Sequence, residues 1–445
     1  MDKKQLKVGI ISLGCDKNRV DSEVMLTYLR DAGYVFTNDP AKSDIIIINT
    51  CGFIANARKE SMETIIEMIN YKKNGTCKKL VVTGCMPQLW IKEMREELPE
   101  VDIFLGIDQY PHIAEHIAKS FDKSTKLIKA GSQNLVPYVQ HRIITTPPHY
   151  AYLKISDGCD NYCTFCTIPF IRGRYISRNM EVILNEAKDL IDDGAKELII
   201  VAQDITRYGI DNYGKPMLVK LIQELSKFEQ LEWIRLLYCY PEAITNDLIE
   251  EMQNNNKLCN YIDIPLQHVS NNILKRMNRH TSKEDIIKLI EKIQSSKKFI
   301  AIRTTFMVGF PGETEEDFKE LYNFVKEYKL THVGFFTYSK EENTAAGKME
   351  DQIPEKIKHK RLVALVRLQK DIVKQNNKKM IGQTYDVCVE GFDYQKGMFF
   401  GRTEYQSPEI DTVVFIKSNV DLKEGTKYPC KITKISGYDL VAKLI

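Results

Sequence analysis

No stretch of this 445-residue chain approaches the ~20 consecutive apolar residues that a membrane-spanning helix needs. The longest apolar runs, such as Ile45 to Ile48, are only strand-sized. The start, MDKKQLKVGIISLGC, is basic but lacks the long apolar segment and small-residue cleavage site of an export signal. An excess of charge is missing as well: 63 Lys and Arg face 60 Asp and Glu, a net of +3. That balance is too mild to argue for nucleic-acid binding through bulk electrostatics. The eleven cysteines, an odd number with no export signal read at the start, argue against a disulfide framework. The expectation is a soluble cytoplasmic protein without membrane contact, in whose reducing surroundings clustered cysteines bind metal or react.

With 43% hydrophobic and 28% charged residues the composition is globular rather than disordered. The length calls for two or three domains. Over the first 140 residues one pattern recurs: an apolar run ends in a cysteine, and an amphipathic segment follows. Val8 to Leu13 leads to Gly14-Cys15, Asp44 to Thr50 leads to Cys51-Gly52, and Leu80 to Thr83 leads to Gly84-Cys85. Helices are predicted between them, at 21–32 and 57–70. Short apolar runs alternating with helices predict a parallel sheet covered on both faces. In such a sheet ligands bind beyond the carboxyl ends of the strands, so Cys15, Cys51 and Cys85 would converge there. The bland alternative is three unrelated buried thiols. Cys77 follows the turn Asn74-Gly75-Thr76 and does not share the placement.

Pro147-Pro148 marks a linker. Six strands then alternate with helices: 151–156, 197–202, 233–238, 261–264, 301–308 and 332–337, with helices such as 180–193 and 315–328. This predicts an incomplete (βα)6 barrel whose active site lies at the C-terminal strand ends. A helix from Pro354 to about Lys379 closes the unit. After Gly382 come five short strands with turns, at 384–390, 397–403, 412–416, 428–435 and 440–444, which predict a small five-stranded β-barrel. The fold class is therefore α/β with three units: 1–140, 145–378 and 379–445.

The loop Gly158-Cys159-Asp160-Asn161-Tyr162-Cys163-Thr164-Phe165-Cys166 directly follows the first barrel strand. Three thiolates at Cys-x3-Cys-x2-Cys spacing can hold three irons of a 4Fe–4S cluster and leave the fourth open. Zinc is the alternative, but a structural zinc site takes four ligands and this loop offers three, with no histidine. The loop and its setting resemble the radical SAM superfamily, in which S-adenosylmethionine (SAM) binds the open iron and is cleaved to a radical. The resemblance implies that the main chain around Phe165 meets the adenine. It implies a similar part for Val308-Gly309-Phe310-Pro311-Gly312-Glu313-Thr314, where Gly309 and Gly312 would let the main chain approach the ligand. The other reading of that segment is a Pro-Gly turn feeding a helix capped by Thr314. Gln203 and Asp204, and Gln267 and His268, fall at strand ends on the same face. Arg172 and Arg174 could contact a carboxylate or form ordinary surface pairs.

Two cysteine triads in separate units suit a reaction that inserts sulfur. The whole chain resembles the methylthiotransferases, through Ser12 to Asn18, Asn49 to Phe53, Thr83-Gly84-Cys85, the radical SAM loop and a TRAM-like C-terminal barrel. The resemblance implies two 4Fe–4S clusters, on Cys15, Cys51 and Cys85 and on Cys159, Cys163 and Cys166, with SAM serving as methyl donor and radical source. One departure is Asp16, which stands where that family usually has proline.

Two subfamilies differ in substrate. RimO-type enzymes modify the β-carbon of an aspartate in the small-subunit ribosomal protein uS12. MiaB-type enzymes modify an isopentenyl-adenosine of tRNA. The Ser-Leu-Gly-Cys opening, Cys51 to Ile54, Tyr152 to Cys159 and Ser407 to Asp411 resemble the RimO type. Charge points the same way: from Ile381 on, eight Lys and Arg stand against nine Asp and Glu, a net of −1. A tRNA-gripping domain should be basic. An acidic patch containing Glu404, Glu409 and Asp411 suits a basic protein such as uS12, free or in the small subunit. A flavodoxin- or ferredoxin-like electron donor is expected. A non-catalytic iron–sulfur sensor or RNA-binding module remains the other class of reading.

Overall fold

The computed structural model describes residues 6–122, 127–130 and 139–445. The basic start read at residues 1–5 lies outside them. The first unit is a six-stranded sheet of β1 (Lys7–Ser12), β2 (Val35–Phe36), β3 (Ile45–Thr50), β4 (Lys79–Gly84), β5 (Ile103–Leu105) and β6 (Leu127–Lys129), all parallel, in the order β2-β1-β3-β4-β5-β6. The isoleucine run of β3 reads as continuous because both faces are covered. Ile45 and Ile47 enter one apolar core, and Ile46 and Ile48 enter the other. From β1 the chain builds outward to β2 and then, through β3, in the opposite direction. The switch point therefore lies between β1 and β3, where a doubly wound sheet leaves a crevice at its carboxyl edge.

The second unit opens with β7 (Tyr150–Lys154) and a two-stranded ribbon of β8 (Ser156–Asp157) and β9 (Ile176–Ser177). It continues with β10 (Glu197–Val201), β11 (Trp233–Leu236), β12 (Leu258–Asp263), β13 (Ala301–Val308) and β14 (His332–Thr337). Six of these form one parallel sheet in the order β14-β13-β12-β11-β10-β7, the partial barrel predicted. Residues such as Leu153, Leu198, Ile234 and Ile262 pack outward against the helices. Their neighbours Tyr152, Ile199, Trp233 and Tyr261 form a separate inner cluster. Helix Glu315–Tyr328 matches its predicted range, and its start is a capping box in which Thr314 and Asp317 satisfy each other's amides.

Helix Glu355–Met380 leads to a closed barrel of β15 (Thr384–Asp393), β16 (Met398–Arg402), β17 (Val414–Lys417), β18 (Lys427–Ser436) and β19 (Asp439–Leu444), in the order β15-β16-β17-β19-β18. It closes the inner face of the larger barrel: Cys388 joins the cluster of Tyr150, Trp233 and Tyr261. Buried Glu197 pairs with Arg402 of the small barrel and, at 2.7 Å, with Arg235 beside it. Among the described residues no helix is long and apolar enough to cross a membrane.

This docking corrects the reading of the acidic patch. Glu404 accepts from the Asn260 amide at 3.0 Å and its side chain at 2.9 Å. Buried Asp411 accepts from Tyr261 Oη at 2.7 Å and faces Arg303 and His332. Glu409 pairs with Arg19 at 3.0 Å. All three carboxylates tie the small barrel to the other two units; Glu404 and Asp411 are taken up by these contacts, and Glu409 alone stays exposed.

Candidate active site

Cys15 immediately precedes helix Asp16–Asp31, Cys51 follows β3, and Cys85 opens helix Cys85–Glu97 after β4. Cys15 and Cys51 thus flank the switch point. The turns are tight: Gly14 has φ of +90°, and a Cβ there would stand 2.7 Å from Cys51 Cβ. Gly84 has φ of +100°, and its Cβ would collide with the Thr50 main chain. Burial pushes the Cys51 thiol up to about 12, and the sulfurs of Cys85 and Cys15 add to the rise. Burial raises Cys85 too, Arg172 works against it, and Cys15 adds to it. The helix starts five residues before the predicted one. Asp16, where proline was expected, sits in its first turn, where an acidic side chain suits the helix dipole. It accepts from Tyr238 Oη at 3.1 Å, and the Lys17 ammonium lies 3.2 Å from the Tyr238 ring centroid.

The second triad lies on a loop laced to its surroundings. Gly158 has φ of +77°, and a Cβ there would collide with the Arg174 carbonyl. Tyr162, also left-handed at φ +47°, is held by Asn278, which donates to its carbonyl at 3.1 Å. Each thiol of the loop has a donor or hydroxyl beside it. Asn161 Nδ2 lies 3.4 Å from Cys159 Sγ, Tyr240 Oη 3.5 Å from Cys163 Sγ, and the Ile168 amide 3.4 Å from Cys166 Sγ. Arg279 lies 3.8 Å from Cys163 Sγ and over the Tyr240 ring. Burial pushes Cys159 up to about 12, and Cys163 adds to it. Burial likewise raises Cys166, with Cys163 and Cys159 adding.

The donor chemistry fits 4Fe–4S clusters. Each triad lies within mutual electrostatic reach. Among the described residues, no three His, Cys, Asp or Glu side chains gather for a single ion, whereas cluster cysteines each take a separate iron. Buried thiols that resist ionising are held as thiolates only by a positive partner such as iron.

The predicted SAM contacts separate into two kinds. Gln203 stands just beyond β10; its Nε2 donates to Asp157 at 3.0 Å, while its Oε1 is buried without a hydrogen-bond partner. Phe165 is half-buried, edge-on to Phe310 at 6.4 Å. Both can still meet a ligand. Gly309 and Gly312 have φ of +73° and +79°. A Cβ on Gly309 would overlap Lys358, and one on Gly312 would stand 2.6 Å from Arg276 Cζ and Asp351 Oδ2. The segment is a turn feeding a helix whose start is capped by Thr314. His268 is fully buried, its Nδ1 accepts from the Ser270 amide at 3.0 Å, and burial lowers it to about 3, as befits a structural residue. Arg174 makes an exposed pair with Asp160 at 2.8 Å.

Arg172 is different. It is buried, with Nη1 at 2.6 Å from Asp21 and 3.3 Å from Asp157, and Nη2 at 3.5 Å from Cys85 Sγ. Lys154 completes the group at 2.6 Å from Asp21 and 2.9 Å from Asp157. Sequence reasoning missed Asp21, Lys154, Tyr240 and Arg279. The one usable signal was a lysine within the predicted strand 151–156, on the face of β7 that carries Tyr150 and Tyr152. Nothing in the sequence marked the others.

A partial parallel barrel with a three-cysteine loop after its first strand defines a radical SAM enzyme. Residues 153–325 match the radical SAM superfamily, 381–445 the TRAM domain, and 7–106 the uncharacterized protein family UPF0004. The chain belongs to the family of ribosomal protein uS12 methylthiotransferases named RimO. It is 52% identical to the Clostridium kluyveri member over 99% of this chain and 98% of that protein. It is 50% identical to the one from a Thermoanaerobacter species over 98% and 99%, and 48% to that of Clostridium tetani over 98% of both. Among solved structures, the radical SAM methyltransferase TsrM from Kitasatospora setae shares the fold. Its TM-score is 0.58 at 14% identity, over 78% of this chain and 74% of that one. The chain is a radical SAM methylthiotransferase, and its cofactors are SAM and 4Fe–4S clusters.

Proposed function

We propose that this enzyme methylthiolates the β-carbon of an aspartate in ribosomal protein uS12. The observation that carries the reading is the 52% identity, over 99% of the chain, to a ribosomal protein uS12 methylthiotransferase; the structure supports it where the two units meet, Thr167 beside Cys166 donating to the Phe53 carbonyl at 3.4 Å and Arg172 touching Cys85. When bound, the clusters and SAM supply the electron, the radical, the sulfur and the methyl group of such a transfer. Cys159, Cys163 and Cys166 would hold one cluster with an iron left for SAM, and Cys15, Cys51 and Cys85 the other. Gln203 Oε1 would accept from a donor on SAM, and Phe165 would flank its adenine. Units 1–140, 145–378 and 379–445 would divide the work into sulfur delivery, radical generation and substrate docking. A flavodoxin- or ferredoxin-like protein would supply electrons.

The test is mass spectrometry after anaerobic turnover, offering separately a uS12 loop peptide and an isopentenylated anticodon stem-loop. A methylthio gain on the peptide's aspartate alone is expected. A gain on the RNA alone would make the enzyme MiaB-type, and no cleavage of SAM at all would make it a sensor.

A further inference from the structure

The proposed methylthio transfer uses the two triads but leaves a buried charge cluster, where the first two units meet, without a part. Asp21, Lys154, Asp157 and Arg172 are all buried, two acids against two bases. Two belong to ordinary places in each unit: Asp21 to the helix after Cys15, Lys154 to the end of β7. Asp157 and Arg172 bracket the cysteine loop. Asp157 Oδ1 accepts from the Gly158 amide at 3.0 Å, so it also sets the entry to Cys159. On the other side, Arg172 Nη2 reaches Asn18 Oδ1 at 3.4 Å as well as Cys85 Sγ at 3.5 Å. Asn18 in turn donates to the Leu13 carbonyl at 2.7 Å and accepts from Asn49 Nδ2 at its own carbonyl at 2.9 Å. One guanidinium therefore touches Cys85 itself, the side chain that pins the Cys15 turn, and the carboxylate that starts the radical SAM loop.

We infer that Arg172 is a positioning residue for the N-terminal cluster: it donates an N–H to the Cys85 sulfur, tunes that cluster's potential, and sets the cluster's place relative to the radical SAM loop. The inference rests on Cys15, Cys51 and Cys85 holding a cluster. Hydrogen bonds to ligand sulfurs favour the reduced, more negative cluster and raise its potential. The planar fork of arginine is what allows one side chain to span two carboxylates and a sulfur. A lysine is a point charge that satisfies the acids but not the fork.

The experiment uses full-length protein carrying Cys159→Ala, Cys163→Ala and Cys166→Ala, reconstituted with iron and sulfide so that only the N-terminal site can load. Its midpoint potential is measured by redox titration followed by electron paramagnetic resonance, alone and with Arg172→Lys or Arg172→Gln added. Both additions are expected to shift the potential to more negative values, Gln further than Lys, while Arg172→Lys retains the parent's iron content and apo-protein melting temperature. An unchanged potential in the loaded Arg172→Lys protein overturns the inference. So does an Arg172→Lys chain that no longer folds, since the residue is then a structural tie alone. A parent that takes up no iron overturns the cluster assignment and this inference with it, and the iron count tells that case apart.

Discussion

Lys154, the last residue of β7, holds Asp21 of the N-terminal unit at 2.6 Å, and both side chains are almost fully shielded from solvent. Asp21 also faces Arg172 at 2.6 Å. Taking one carboxylate from such a group leaves buried cations uncompensated, which costs about 3–5 kcal/mol. Asp21→Asn is expected to lower stability by that order, read as a fall in denaturation midpoint of the apo-protein. A loss below about 1 kcal/mol, the range of surface pairs, would contradict the buried network.

The two triads should separate by function. Cys163→Ala is expected to abolish conversion of SAM to 5′-deoxyadenosine. Cys51→Ala should leave that cleavage within a few-fold of the parent and stop methylthio transfer. Chromatography of the nucleoside and mass spectrometry of the peptide read the two outcomes; methylthio transfer by Cys51→Ala would refute the two-cluster assignment.

Gly84 and Gly158 place a cysteine of each triad through left-handed turns, and a Cβ at either would strike main chain. An alanine there costs at least ~1 kcal/mol from backbone conformation before the collision is counted. Gly84→Ala should lower iron bound at the N-terminal site and Gly158→Ala iron at the barrel site, as iron and sulfide analysis would show. Full loading of both sites in both variants would show that the turns tolerate the change.

Glu197 ties the two barrels together. Burial opposes its charge, but Arg402 and Arg235 overcome this and hold its carboxyl at about 2, below the usual 4.5. A depressed folded-state value means the stabilisation is complete above the unfolded value and is lost as pH falls from about 4.5 toward 2. The shift corresponds to on the order of 3 kcal/mol. Between pH 5 and pH 3 the parent should lose more stability than Glu197→Gln, whose residue 197 does not titrate. Parallel melting curves for the two proteins across that range would dismiss the coupling.

Much of this protein is written in local pattern. The isoleucine run of β3, alternation along β7, and the Thr314–Asp317 capping box are properties of neighbouring residues, so the elements they form are legible in the amino-acid sequence alone. The cysteines were legible for the same reason: each follows a strand, and a parallel sheet collects its strand ends at one edge. Asp16 in place of the expected proline was legible as a departure, but its bond to Tyr238, 222 residues away, was not.

Side-chain partnerships across units are what the sequence left undetermined. Glu404, Glu409 and Asp411 read as an acidic surface because a sequence records charge but not direction; packing turned Glu404 and Asp411 inward onto Asn260 and Arg303, while Glu409 pairs with Arg19 at the surface. Gly309 and Gly312 were legible as positions where a Cβ is unwelcome, but not that Lys358 and Arg276 are what it would meet. The sequence by itself determined the three units, their order and the two cysteine triads. Only the tertiary structure decided which charges are buried together, and so that Arg172 joins Asp157 before the cysteine loop to Cys85 of the other unit, because desolvation and pairing depend on distances between residues far apart in the chain.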